Sequence, residues 1–261
     1  MTLQANNATV RLGGAAVLRD FTAGMKPGEF VAVVGPNGAG KSTALKLMAG
    51  LIVPERGGVT IDDLAIAAVP PKILAQRIAY LPQDRTVHWP LAADRVVALG
   101  RLPHRSFAAG ESAGDQQAIR AAMRRMDVLQ FANRPVTELS GGERARVLVA
   151  RALAQEAKFL IADEPAAGLD PAHSLALFQE FARLAQDGHG VLTALHDLSL
   201  ALRFATRVIL LRDGLCLADG QPAQVLNKEN LATAFEIDAI VTDIGGIPVV
   251  LPHASLRAIG P

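Results

Sequence analysis

The sequence predicts an α/β protein: a mostly parallel sheet with flanking helices, an N-terminal antiparallel β layer and an inserted helical lobe. Three observations carry that expectation. Short apolar runs recur at residues 30–34, 159–162, 208–211 and, interrupted only by Thr193, 191–195, the pattern of strands covered on both faces. Ahead of them, β-favouring segments flank a glycine pair, the pattern of an antiparallel hairpin. Between about residues 84 and 156 the periodicity turns mostly helical, as an insertion would.

Each element follows in order. Thr9-Val10-Arg11-Leu12 leads into Gly13-Gly14, a hairpin-type turn, and residues 15–21 resume an extended pattern. Lys26-Pro27-Gly28-Glu29 is a second turn, feeding the buried strand 30–34. That strand runs into Gly35-Pro36-Asn37-Gly38-Ala39-Gly40-Lys41-Ser42-Thr43 and then a helical pattern, 44–49, which Gly50 can stop. A strand, a glycine-rich turn and Gly-Lys-Ser opening a helix form the P-loop arrangement, so the core is expected to be that of a P-loop NTPase. Gly35, Gly38 and Gly40 let backbone N–H groups curl around phosphate oxygens where a Cβ would intrude. The positive end of the helix faces the same anion. Lys41 can reach the β- and γ-phosphates of ATP, and the Ser42 hydroxyl can join the shell of a Mg²⁺ ion.

Residues 54–58 read as a loop and 59–61 as a short strand. An apolar strand from Ile78 stops at Pro82 and Gln83. Residues 92–127 are mostly helical, broken over 101–114 by Pro103, Gly110 and Gly114. The lobe ends at Leu139-Ser140-Gly141-Gly142-Glu143, and a helix follows. Ser140 and Glu143 have capping-box spacing, while the side-chain-free Gly141 and Gly142 leave helix N–H groups open to an external anion. This is a second phosphate site, remote in sequence from the first.

The strand 159–162 ends in Asp163-Glu164-Pro165. Acids at a strand end in a chain with a P-loop point to metal and water: Asp163 toward Mg²⁺, Glu164 as general base on the attacking water. Gly168-Leu169-Asp170-Pro171 opens the next helix, with Asp170 as N-cap and Pro171 in first position. The strand 191–195 ends at His196-Asp197, where ligands of parallel sheets lie. Helix 198–205, strand 208–211, a turn at Asp213-Gly214, a returning strand at 215–218 and helices at 222–226 and 230–235 complete the pattern. The tail beyond is punctuated by glycine and proline and carries no visible chemistry.

Composition excludes several classes. The chain has 261 residues, half of them hydrophobic, enough for one large domain with an inserted lobe. No apolar run approaches the ~18 residues of a membrane-spanning helix, and the first residues lack a basic and an apolar region, so no export signal is expected. Cys216 is the only cysteine, which excludes an internal disulfide and suits a reducing compartment. A formal net charge of +1 gives no electrostatic footprint for nucleic acid.

Over residues 2–240 the chain resembles an ATP-binding cassette (ABC) ATPase. The family's motifs stand in order: 35–43 (Walker A), Gln83 (Q-loop), 139–143 (signature), 159–164 (Walker B), 168–170 (D-loop) and His196 (switch histidine). The resemblance implies an ATPase domain over residues 1–240, with 241–261 a short tail of the same domain. It implies catalytic roles for Glu164, His196, Lys41 and Gln83, and Mg²⁺ held by Ser42, Gln83 and Asp163. It also implies a head-to-tail homodimer in which Ser140, Gly141, Gly142, Glu143 and Asp170 of one copy complete the ATP site of the other. Two separate phosphate sites in one chain fit that symmetry. The family's adenine-stacking aromatic is absent near 10–12; either Arg11 stacks on the base or the base is held loosely.

Within the family, residues 96–103 and 196–201 look most like ATPase subunits of importers for iron-siderophore, haem and vitamin B12. That resemblance implies polytopic membrane permease partners, a periplasmic binding protein acting indirectly, no nucleic acid partner, and a peripheral place on the cytoplasmic face of the bacterial inner membrane. The alternatives are an importer ATPase for a metal ion or other small solute, a soluble ABC ATPase without a membrane partner, and a non-hydrolysing nucleotide module. The missing heptad run weighs against the second, and Glu164 with His196 weigh against the third.

Overall fold

The first 25 residues place apolar side chains at Leu3, Ala5, Ala8, Val10, Leu18, Phe21, Ala23 and Met25 on one buried face of a long hairpin. A computed structural model describes residues 1–105 and 110–256. In chain order the elements are β1 (Leu3–Leu12), β2 (Ala15–Met25), β3 (Phe30–Val34), α1 (Lys41–Met48), β4 (Arg56–Ile61) and β5 (Leu64–Ala65). Then come α2 (Pro71–Arg77), β6 (Ile78–Leu81), α3 (Ala93–Ala98), α4 (Ala113–Arg125), α5 (Gly141–Ala154), β7 (Phe159–Asp163) and α6 (Pro171–Gln186). The chain continues through β8 (Gly190–Ala194), α7 (Leu198–Phe204), β9 (Arg207–Arg212), β10 (Leu215–Gly220), α8 (Pro222–Val225) and α9 (Lys228–Phe235). It closes with β11 (Ile237–Ile244) and β12 (Ile247–Ser255). Two units divide these residues: one holds Met1–Ala68 and the described chain from Leu184 onward, the other Val69–Arg183.

In the first unit, β1 and β2 pair antiparallel across Gly13-Gly14, both at positive φ (57° and 84°). A two-residue left-handed turn matches the twist of the strands it joins. β4 and β5 extend this layer in the order β2-β1-β4-β5, the expected antiparallel layer. Residues 56–58 were expected in a loop and instead begin β4. The reason is a bulge: the β1–β4 register shifts between Asn6 and Thr9, and Gly57 (φ 74°) packs there. A Cβ on Gly57 would stand 2.3 Å from the carbonyl oxygens of Asn6 and Asn7.

The unit's other sheet runs β10-β9-β3-β8. β3 lies between two parallel neighbours, with Phe30 opposite Val191 and Val31 opposite Arg207. Every residue of β3 and β8 is buried, as strands covered on both faces are. The last described segment is a hairpin, β11–β12, turning on Gly245-Gly246 (φ 62° and 83°), where an irregular tail was expected. Pro248 and Pro252 disguise β12 in the sequence, yet a strand paired on one side tolerates them. The expected tail start at 241 falls inside β11, and residues 257–261 lie outside the described ones.

In the second unit β6 and β7 pair in parallel, from Ile78 opposite Phe159 to Leu81 opposite Ala162. Helices α3, α4 and α5 bury Val96, Val97, Ile119, Met123, Val147 and Ala150 against one another. A buried ion pair fastens them: Arg101 Nε donates to Asp115 at 2.8 Å, and its second nitrogen reaches the Ala154 carbonyl at 2.8 Å and Glu156 at 2.6 Å. Neighbouring Gly100 lets the backbone close on α5, since a Cβ there would lie 2.2 Å from the Arg151 carbonyl oxygen. Of the loop expected over 101–114, residues 106–109 lie outside the described ones. Among the described residues no helix is long and apolar enough to cross a membrane.

Candidate functional site

The loop between β3 and α1 is built to hold its backbone in one unusual path. Gly35 (φ 155°) has no room for a side chain: its Cβ would meet the Leu211 carbonyl oxygen at 2.2 Å. Gly40 (φ 99°) is the N-cap of α1, and no side chain caps the helix there. An uncapped helix start presents orphan N–H donors and a positive partial charge to an incoming anion. Lys41 is 6% exposed and folds back on the loop, donating from Nζ to the carbonyls of Gly35 (2.8 Å) and Pro36 (3.1 Å). Asn37 and Gly38 form the exposed tip, Ala39 and Thr43 are buried, and Ser42 is half-buried.

His196 belongs to the same unit. β8 pairs in register with β3, Val33 opposite Ala194, and the Leu195 N–H donates to the Val33 carbonyl at 3.0 Å. The glycine loop and the exposed His196 therefore leave adjacent parallel strands at the same end, where ligands of such sheets bind. Asp197 starts α7, accepting from the Leu200 N–H at 2.9 Å. Arg11, considered for the base, is engaged by Glu55 (2.9 Å) and by the Gly14 carbonyl (3.0 Å).

In the second unit, adjacent strands β6 and β7 deliver Gln83 and the acidic pair. Asp163 is 1% exposed, whereas Glu164 is half-buried and sits at φ 47°, the left-handed region that costs a residue with a Cβ ~1 kcal/mol or more. Gln83 Nε2 donates to Glu164 Oε2 at 2.9 Å. Beside them, burial and then the Asp163 charge push the Tyr80 phenol up to about 12, so it stays a neutral wall of the Asp163 site.

The second expected phosphate site is the start of α5. The capping box forms: Ser140 Oγ accepts from the Glu143 N–H at 3.3 Å, and Glu143 accepts from the Ser140 N–H at 2.8 Å. Those hydrogen bonds, the backbone one first, hold the Glu143 carboxyl below its ordinary range. Gly141 has nothing within 4 Å of where a Cβ would stand, and Gly142 only Leu169 at 3.7 Å and the Gly168 carbonyl at 3.9 Å. Asp170 is occupied locally: it caps α6 through the His173 N–H (2.9 Å) and contacts the His173 ring at 2.6 Å. Bonds from His173 hold its carboxyl below the usual value.

One unit thus gathers 35–43 and His196; the other gathers Gln83, Asp163 and Glu164, and sets 140–143 beside 168–170. Two residues of the second cluster, Tyr80 and Arg85, were missed in the sequence. No spacing marks either; Tyr80 lies beside Asp163, and the Arg85 guanidinium donates to the Glu164 carbonyl at 2.6 Å, neighbours that only the folded chain supplies.

A strand-to-helix phosphate loop and an acidic pair at the end of a parallel strand define a P-loop ATPase. The chain belongs to the ABC transporter family, whose model matches residues 18–167, and it is an ATP hydrolase of that type. It is 40% identical over 259 residues, 98% of this chain and 88% of the other, to the hemin import ATP-binding protein HmuV of Rhodococcus jostii. Among solved structures, a chain of an inward-facing transporter assigned to the metal-chelate type superposes with a TM-score of 0.83 at 25% identity, covering 97% of both chains. A dimeric ATP-binding cassette in a post-hydrolysis state, bound to ADP and Pi, superposes at 0.75 with 28% identity, covering 85% of this chain and 99% of that one.

Proposed function

We propose that this chain is the ATP-hydrolysing subunit of an importer for haem or a related metal chelate, working as a head-to-tail homodimer on a separate membrane permease. One observation carries the reading. Gly141 and Gly142 have no explanation inside their own chain, because neither a positive φ nor a steric clash demands glycine there. Their bare N–H groups suit a phosphate presented from outside. A chain with one phosphate loop and one such helix start makes two complete sites only when a two-fold partner faces it.

In this mechanism the 35–43 loop and Lys41 bind the β- and γ-phosphates, Lys41 exchanging the carbonyls of Gly35 and Pro36 for phosphate oxygens. Glu164 accepts a proton from the attacking water as its oxygen bonds the γ-phosphorus and the bond to the ADP oxygen breaks. Gln83 steadies the Glu164 carboxylate, and His196 holds a γ-phosphate oxygen. Ser42, Asp163 and Gln83 offer the hard oxygen donors that suit Mg²⁺. Bound with ATP, the ion would neutralise charge on the β- and γ-oxygens. The Ser140–Gly142 segment of the partner subunit caps the γ-phosphate, so ATP joins the two copies and hydrolysis releases them.

Similarity to a hemin import ATPase over nearly the whole chain supports the cargo class. Exposed large apolar side chains on the second unit, Trp89 (73% exposed), Leu91, Leu99 and Leu102, are in keeping with a membrane-protein partner. The test is uptake into proteoliposomes holding this ATPase and its co-purified permease, supplied separately with haemin, a ferric siderophore and cobalamin. ATP-dependent accumulation of haemin, lost with Glu164→Gln, is the expected result. Uptake of none of the three, or full uptake with Glu164→Gln, would refute the proposal.

A further inference from the structure

Two carbonyls bracket the turn that follows the acidic pair, and one side chain from another loop holds both. The turn closes when the Ala167 N–H donates to the Glu164 carbonyl at 3.2 Å. Arg85 adds a fork. One guanidinium nitrogen donates to the Glu164 carbonyl at 2.6 Å, and the other donates to the Ala167 carbonyl. The guanidinium thus grips both ends of the four-residue turn in which Glu164 sits left-handed. Arg85 is itself placed by its loop: Asp84 accepts from the Thr86 N–H (2.9 Å) and hydroxyl (2.7 Å), a local turn that fixes the arginine's departure from the chain. Two residues earlier, Gln83 holds the Glu164 carboxylate. One short segment therefore controls Glu164 at both ends, side chain through Gln83 and backbone through Arg85.

We infer that Arg85 is a positioning residue for hydrolysis: it locks the 164–167 turn so that the Glu164 carboxylate meets the attacking water. The inference rests on Glu164 being the general base. A planar two-pronged donor suits this turn, because a guanidinium offers its N–H groups in a fixed fork that meets both carbonyls at once. Burial lowers the basicity of Arg85 while the Glu164 charge raises it, which agrees with a half-buried guanidinium beside that carboxylate. Without Arg85 the turn loses its outer support and Glu164 can relax from its strained backbone, moving the carboxylate away from the water. Nucleotide binding, which uses the 35–43 loop, stays intact.

The experiment compares the full-length protein with Arg85→Ala, Arg85→Lys, Glu164→Gln and the Arg85→Ala/Glu164→Gln double variant, by single-turnover cleavage of radiolabelled ATP and by binding of a fluorescent ATP analogue. Arg85→Ala should lower the rate constant about 10- to 100-fold, the scale of a small misplacement of a catalytic group. Analogue affinity and the KM for ATP should stay within about twofold. Arg85→Lys should recover only part of the rate, because a shorter side chain ending in one ammonium lacks the fixed fork that meets the Glu164 and Ala167 carbonyls together. The double variant should be no slower than Glu164→Gln alone, because Arg85 acts only through that residue. Parental rates in Arg85→Ala, or losses that multiply in the double variant, overturn the inference. If Arg85→Ala fails to fold, Arg85→Lys decides in the same way. Parental cleavage by Glu164→Gln strikes instead at the base assignment, and is read apart from the arginine arm.

Discussion

Replacing Gly142 by alanine should make the protein more stable and less active at once. Inside the chain the new methyl meets only Leu169 at 3.7 Å and the Gly168 carbonyl at 3.9 Å, ordinary contact distances. The residue lies in the first turn of α5 at a negative φ, so alanine's helix propensity adds up to about 1 kcal/mol. For a chain of this size that raises the melting midpoint by about 2–4 °C. In the proposed two-copy site, the same methyl would block the approach of a γ-phosphate to the helix N–H groups. Loss of one such donor to a developing charge costs about 100-fold in turnover, or about 2.7 kcal/mol. The assay pairs thermal unfolding without nucleotide with steady-state phosphate release, and follows ATP-dependent dimerisation of Glu164→Gln with and without Gly142→Ala. A Gly142→Ala protein that turns over at the parental rate and still dimerises would show that this glycine pair faces no phosphate, and the two-copy site would fall with it. A lowered midpoint would refute the steric part.

Two further perturbations probe the scaffold. Gly100→Ala should destabilise by about 1–3 kcal/mol, because the Cβ would sit 2.2 Å from the Arg151 carbonyl oxygen in the backbone of α5; a denaturant midpoint equal to the parent's would contradict that contact. Asp115→Asn should flatten the acid limb of the stability curve. Hydrogen bonds from Arg101 first, then from Ser112, hold the Asp115 carboxyl well below its ordinary value. A depressed carboxyl stabilises the fold above its unfolded pKa, near 4, and that contribution is lost as pH falls through the folded value. The midpoint difference between parent and variant should thus be largest at neutral pH and shrink below about pH 4; a difference constant with pH would exclude the pair as its source.

The parts legible in the sequence are those whose physics is local. The 35–43 loop announces itself because its glycines, lysine and helix start answer one short-range demand, and the α5 capping box is four residues long. The apolar runs marked β3, β7 and, apart from Thr193, β8 for the same reason: burial on both faces leaves its trace along the strand. Gly57 misled, since a glycine pair looks the same in a loop as in a strand pressed against a bulge, and only the Asn6 and Asn7 carbonyls distinguish them. The prolines of β12 hid a strand whose free edge makes them harmless. Arg85 could not be found by spacing, because its partners lie 79 and 82 residues away. The Gln83–Glu164 contact spans 81 residues; family resemblance named both residues but not their contact.

The folded-back lysine also has a thermodynamic consequence. With its ammonium resting on the loop's own oxygens, the lysine braces the glycine turn from within. Capture of nucleotide is then a substitution of one set of acceptors for another, releasing less free energy than pairing a fully hydrated charge would suggest.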